Sequence, residues 1–196
     1  MRMAGMSAGI LCVVALLLLS GCGGAQNKTD GAAAPKPGEK ADANPAPAPA
    51  GLMLTEAPPG ARDVIAVKKD AKEGDEVVIR GRIGGAPTNV FTSGYAIMTI
   101  VDMSLVPCNE KPGDGCKTPW DYCCDDKEDI LAAKATIQLL GAGGKVLKQE
   151  FKGMAGMDHL SVVVVKGKVG KRDDPKNLII NATGIFVEKS ADKKKS

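Results

Sequence analysis

The chain has 196 residues, of which 44% are apolar but only 3% are aromatic, and its formal net charge is +3. This small charge gives no reason to expect a polyanionic partner. A core with so few aromatic rings must rely on Val, Ile, Leu and Ala, and that composition favours a β-rich fold.

Residues 1–21 are predicted to be a signal peptide. Arg2 supplies a positive charge before the apolar run at residues 10–19, which is too short to span a bilayer as a helix. Directly after this run, Leu19-Ser20-Gly21-Cys22 resembles the lipobox of bacterial lipoproteins, in which the cysteine sulfur receives the lipid. The resemblance implies cleavage before Cys22, diacylation of Cys22, and a mature protein that is exported and anchored to a membrane.

Residues 22–60 are predicted to be a disordered tether that begins at the lipidated cysteine. Residues 23–60 contain ten Ala, seven Pro and six Gly, so this segment cannot bury enough apolar surface to offset its ordering entropy. Gly23 follows the cysteine, and the lipobox resemblance then implies sorting to the outer membrane. We expect the folded domain, residues 61–189, to face the periplasm or the cell surface, with residues 190–196 as a basic tail.

The folded part is predicted to be all-β. Residues 76–83 alternate apolar and polar side chains with the period of a half-buried strand, and Gly81 marks a bend or a close approach. A short helix or turn is expected at residues 153–160. Five further strands are expected, of which the second and third form a hairpin around the turn 141–144: residues 95–101, 135–140, 145–151, 161–169 and 177–187.

Three strands, a short helical link and two more strands follow the order of the OB-fold, a five-stranded Greek-key barrel. The strands and glycines at residues 76–83, 98–102, 165–169 and 178–187 resemble the first, second, fourth and fifth strands of OB domains that bind nucleic acids. The resemblance implies a ligand face on strands 2 and 3, flanked by two loops. These loops are residues 84–94 and 170–176. An SH3-like barrel or a small sandwich is the alternative architecture.

A cysteine-rich insert at residues 103–134 is predicted between strands 2 and 3. It is longer than an OB connection needs, and it contains the only Trp of the chain. The stretch from Cys116 to Cys124, with its Cys-x-Thr-Pro-Trp-Asp-Tyr-Cys-Cys pattern, resembles a signature of small bacterial lipoproteins to which no activity has been assigned. The candidate binding residues of the insert are Trp120, Asp121 and Tyr122.

The four cysteines of the insert allow three chemistries. An even number of thiols in an exported chain favours two disulfides, in which Cys123 and Cys124 each pair with Cys108 or Cys116 in one of two connectivities. Four thiolates can also bind zinc, although there is no Cys-x-x-Cys pair and adjacent cysteines point awkwardly for one tetrahedral centre. A redox dithiol is favoured least, because four of the five residues after Cys124 are acidic and would raise a thiol pKa.

Met154, Met157 and the only histidine, His159, form a weak candidate copper site, because thioethers and imidazole suit Cu(I). Packing of the methionines in the barrel core explains the same residues more simply. Apart from copper or zinc at these two places, the sequence implies no cofactor.

The sequence favours a non-catalytic binding or structural module over an enzyme, because it contains no Ser-His-Asp set and no phosphate loop. Six basic residues would give two strands a basic outer edge suited to nucleic acid: Arg80, Arg82, Lys166, Lys168, Lys171 and Arg172. Nucleic acid is an unlikely partner, however, because stacking aromatics are few and an exported domain meets little of it. Besides the membrane, we expect an envelope protein, a glycan or a small ligand as the partner.

Overall fold

The computed structural model describes residues 49–113 and 115–190. The predictions for the signal peptide, for Cys22, for residues 23–48 and for the tail after residue 190 lie outside these residues. Within them, no helix is both long and apolar enough to cross a membrane. The elements in chain order are β1 (Arg62–Asp63), α1 (Val64–Asp70), β2 (Glu76–Ile83), β3 (Ile97–Val101), α2 (Lys127–Ala133), β4 (Lys134–Gln138), β5 (Val162–Val169) and β6 (Ile179–Lys189).

Five of these strands close into a barrel in the order β2-β3-β4-β6-β5, with β5 pairing back to β2. Every neighbouring pair is antiparallel except β4 and β6, which are parallel. This is the strand order of the OB-fold, so the predicted all-β, five-stranded, OB-like Greek-key barrel is confirmed. The two-residue strand β1 lies outside the closed barrel and pairs in parallel with β2.

The alternation of β2 determines which of its side chains enter the core. Val77, Ile79 and Ile83 are buried, while the polar positions between them are partly exposed. Gly81 lies on the buried face, and a Cβ placed there would be 2.9 Å from the carbonyl oxygen of Val101. The predicted close approach at Gly81 is therefore confirmed, because a larger residue would separate β2 from β3.

The link between β4 and β5 closes one end of the barrel. A short 3-10 turn at Met154–Gly156 agrees with the helix or turn predicted there, and Phe151, Met154 and Met157 are buried in the core. The predicted strand at residues 145–151 is wrong over most of its length, and the predicted hairpin is short. Val146 bridges Leu140, and the N–H of Leu147 donates to the carbonyl of Leu139 at 2.8 Å, but the residues after 147 form no strand.

The cysteine-rich insert lies between β3 and β4 rather than between strands 2 and 3. The difference arises because β1, which the sequence pattern did not predict, precedes the barrel. Buried Asp102 begins the insert, and its carboxylate accepts hydrogen bonds from the backbone N–H groups of Ile65 (2.8 Å) and Ser104 (2.9 Å). Asp102 thereby joins the start of the insert to the first turn of α1.

Contact with the barrel begins at Leu52, within the segment predicted to be tether. Leu52 is buried, and its carbonyl accepts a hydrogen bond of 2.7 Å from the N–H of Ile185 in β6. Leu54 donates its own N–H to the carbonyl of Ile185 at 2.8 Å, and its side chain covers Gly184. The predicted tether boundary at residue 60 is therefore too late, because three large apolar residues, 52–54, add a short extended segment to β6.

Candidate functional site

Two glycines at the end of β2 let the insert dock on the barrel. A Cβ on Gly84 would be only 2.6 Å from the backbone oxygen of Trp120. The same oxygen accepts a 3.0 Å hydrogen bond from the N–H of Gly85. Main chain therefore packs directly against main chain here, and this contact sets the position of Trp120.

Tyr122 anchors the insert in a small apolar cluster of its own. Its side chain is fully buried together with Val101 and Ala133, and Leu105 and Ile130 pack against them. Burial raises the pKa of Tyr122 to about 12, although the guanidinium of Arg82 opposes the rise. Tyr122 therefore contributes to the packing of the insert rather than to an exposed surface.

Asp121 also has an internal role. It is 8% exposed, its carboxylate accepts the N–H of Tyr122 at 2.7 Å, and its carbonyl accepts the N–H of Cys108 at 2.9 Å. Of the three candidate binding residues, only Trp120 lines a cleft.

That cleft, with a volume of about 740 Å³, lies between the insert and the turn that leads into β5. The ends of β2, β5 and β6 form part of its wall through Arg82, Val162 and Lys189. Charged groups of both signs, an indole and an imidazole line it, so that hydrogen-bond donors and acceptors surround an aromatic surface. The residues that matter most below are Arg82, Glu110, Trp120, Asp158 and His159.

Trp120 and His159 stack face to face in this cleft. Their ring centroids are 3.9 Å apart at an interplanar angle of 18°, and Phe91 meets His159 edge-on at 5.3 Å. The stack joins the insert to the turn before β5, two segments that lie far apart in the chain. The indole Nε1 of Trp120 is buried and has no hydrogen-bond acceptor among the described residues.

Asp158 holds the imidazole of His159 in place. One carboxylate oxygen is 3.1 Å from Nδ1 of His159 and accepts the backbone N–H of the same residue at 2.8 Å. Burial lowers the pKa of His159, Lys152 lowers it further, and Asp158 opposes both effects. The lowered pKa favours the neutral form of the stacked ring.

The predicted basic edge is largely neutralised by ion pairs. Arg80 makes two bonds of 2.7 Å to the carboxylate of Glu188. Lys168 lies 3.6 Å from Glu76, and Arg82, at the cleft, lies 3.3 Å from Glu110. Little unpaired positive charge is thus left on this face for a phosphate backbone.

The two loops expected to flank an OB ligand face are held by other contacts. In loop 170–176, Arg172 donates hydrogen bonds to the carbonyls of Ala71 (2.7 Å), Lys68 and Pro175. In loop 84–94, Ser93 and the N–H of Gly94 bind the carboxylate of Glu150. The cleft is lined by no residue of either loop, although Phe91 of loop 84–94 packs edge-on against His159.

Three cysteines of the insert come together at one place, and the fourth, Cys116, lies beside one of them. The sulfurs of Cys108, Cys123 and Cys124 all lie within 4.8 Å of one another. Cys123 is 3.6 Å from Cys108 and 3.2 Å from Cys116, sulfur to sulfur. The expectation that adjacent cysteines point awkwardly for one centre is therefore wrong, while the two predicted disulfides stay a prediction.

The weak copper candidates only partly share one environment. Met154 and Met157 are buried in the hydrophobic core, and Met157 lines the cleft together with His159, whereas Met154 does not. Packing of both thioethers at the barrel end gives them an apolar role.

No protein-family model matches the chain, and no curated protein is similar to it. The family resemblance of the Cys116–Cys124 stretch and the lipobox therefore stay predictions, and the function has to be argued from the cleft and the insert.

Proposed function

We propose that the chain is an exported lipoprotein, anchored through Cys22, whose barrel is a non-catalytic module that binds a small polar ligand in the cleft. The stacked pair of Trp120 and His159 within the 740 Å³ cleft carries this proposal. Concave sites with an aromatic surface and a few placed polar groups are typical of ligand-binding sites. The lipobox pattern at Cys22 supports the anchor.

A saccharide fits the chemistry of the cleft best. The indole provides a flat apolar face, while Arg82, Glu110 and Lys189 provide donors and acceptors around it. Charges of both signs suit a neutral or zwitterionic polar molecule better than a polyanion. A glycan of the cell envelope meets these requirements and would be present where the proposed anchor holds the domain.

Binding is a better proposal than catalysis for this cleft. Asp158 orients His159 in the way that a carboxylate orients a catalytic imidazole. Nucleophilic catalysis would also need a hydroxyl or thiol at hydrogen-bond distance from His159, whereas binding needs only the aromatic surface and the polar groups around it.

Isothermal titration calorimetry with soluble peptidoglycan fragments tests the proposal. We expect the wild-type protein to bind, and Trp120→Ala to bind at least about tenfold more weakly, because truncating a stacking aromatic costs on the order of 1.4 kcal/mol or more. Tyr95→Ala is the matched control, since it removes an exposed aromatic ring that does not line the cleft.

The unfolding transition of each variant shows whether the barrel is intact. If the wild-type protein gives no heat of binding, or if Trp120→Ala and the wild type bind with equal affinity, the proposal that the ligand binds in the cleft is contradicted. Binding of single-stranded DNA in its place would favour the nucleic-acid interpretation of the OB pattern.

A further inference from the structure

Three cysteine sulfurs of the insert lie together as one group with a fourth beside it, and we propose that these four bind a single zinc ion as thiolates. The sulfurs of Cys108, Cys123 and Cys124 form a triad within 4.8 Å. Cys116 places the fourth sulfur 3.2 Å from that of Cys123. This proposal goes beyond ligand binding in the cleft, because it needs neither the ligand nor the lipid anchor.

The distances within the triad are those of ligands that can share one ion. Four thiolates at about 2.3 Å from zinc are separated from each other by roughly 3.8 Å. The sulfur of Cys123 lies 3.6 Å from that of Cys108 and 3.2 Å from that of Cys116. Cys116 lies outside the triad and would complete the shell by a change in its side-chain position.

The backbone brings the ligands together from two segments. The N–H of Cys108 donates to the carbonyl of Asp121 at 2.9 Å, and the N–H of Asn109 donates to the carbonyl of Pro119 at 3.2 Å. On the other side, Lys111 pairs with Asp125 at 2.7 Å. These bonds hold residues 108–111 against residues 119–125, so that part of the ligand shell is formed before the ion binds.

The proposed site has one buried sulfur and two sulfurs that solvent can reach. Cys108 is fully buried, whereas Cys123 and Cys124 are exposed, so an ion can enter from solvent and reach the buried sulfur last. On binding, Zn²⁺ replaces the four thiol protons, which are released to solvent. Because four protein thiolates leave no open coordination position, the ion is structural rather than catalytic.

A structural ion would stabilise the fold of the insert. Only Val101, Tyr122 and Ala133 form its buried apolar cluster, which is small for a loop of this length. Such segments are commonly stabilised by a metal or by disulfides. The ion would fix residues 119–122 and, through them, the position of Trp120 in the cleft.

Metal binding is measured on the full chain in its reduced form, without oxygen, by titration with Co²⁺ followed by Zn²⁺. We expect one equivalent of Co²⁺ to give thiolate-to-cobalt charge-transfer bands and the visible bands of a tetrahedral ion, and Zn²⁺ to remove both. Cys123→Ser should weaken binding at least about tenfold, because it removes one of the three sulfurs that lie within 4.8 Å of one another. Asp126→Asn, an exposed neighbour, should bind like the wild type.

A second measurement determines the state of the cysteines in the cell. The protein is isolated from the envelope with its thiols chemically blocked, and its zinc content and disulfides are measured by mass spectrometry. One zinc ion per chain supports the proposal. Four cysteines paired as disulfides without zinc, or the absence of cobalt bands from the reduced protein, would overturn it. If Cys123→Ser does not fold, Cys116→Ser tests the fourth ligand and should shift the cobalt bands.

Discussion

The imidazole of His159, which lines the cleft, is expected to make the stability of the protein depend on pH. Burial lowers its pKa below the ordinary value of 6.5. The unfolded chain therefore binds a proton more readily than the folded chain in the range just below that pH. Its contribution to stability is fully present above about pH 6.5 and is lost progressively as the pH falls toward the folded-state pKa.

We expect the free energy of unfolding to decrease between about pH 7 and pH 5.5 in the wild-type protein, and to depend less on pH in His159→Gln. Chemical unfolding of a protein without a histidine tag measures this, and because His159 is the only histidine, the comparison isolates one group. An identical pH slope in both proteins would show that His159 is not buried against Trp120.

The role of a single residue could be predicted from the sequence where it depends on one neighbouring strand or on packing in the core. Gly81 was expected to mark a close approach and does so, and Met154 and Met157 pack in the core as the simpler interpretation held. The stack of Trp120 on His159 was not predictable, because the two rings are 39 positions apart in the sequence, and only the folded barrel brings them to 3.9 Å.

At the level of elements, the position of the insert depends on main-chain contact with the end of β2. Gly84 leaves the space that the backbone of Trp120 occupies, since a Cβ there would lie 2.6 Å from its carbonyl oxygen. The Cα of Gly84 and the carbonyl oxygen of Trp120 both belong to the main chain. Neither can therefore move aside as the end of a flexible side chain could.

Gly84→Ala should therefore displace the insert, lower the free energy of unfolding by roughly 1–3 kcal/mol, and shift the emission of Trp120 to longer wavelength as water reaches the ring. Emission reports this site alone, because Trp120 is the only tryptophan. The matched control is Gly115→Ala, where an added Cβ meets nothing within 4 Å and stability should change by less than about 0.5 kcal/mol. Equal stability and emission in the two variants would contradict the docking contact.

The strands were predictable because alternation and β-branched runs are local features. The pattern at residues 76–83 coincides with β2, and the runs predicted at 161–169 and 177–187 overlap β5 and β6. The expected strand at 145–151 is limited to a bridge between Val146 and Leu140, and the alternation of that stretch does not show where the pairing stops. Helix α1 was not predicted, since its apolar face is short and only Val64 and Val67 are buried.

At the scale of the whole molecule, a closed barrel presents a cleft beside the cysteine-rich insert. Contact with the barrel begins at Leu52, earlier than the composition of residues 23–60 suggested. The cysteines of the insert were recognisable as a group from their spacing. Their arrangement around Cys123 was not, because it depends on backbone bonds between residues 108–109 and 119–121.

The central claim, an envelope lipoprotein anchored through Cys22, is tested most directly by mass spectrometry of the mature N-terminus after detergent extraction from membranes. We predict an N-terminal peptide that begins at Cys22 and carries a diacylglyceryl group, together with loss of the protein from the membrane fraction in Cys22→Ala. A mature chain that retains residues 1–21, an unmodified Cys22, or a Cys22→Ala protein that stays in the membrane fraction would contradict the account.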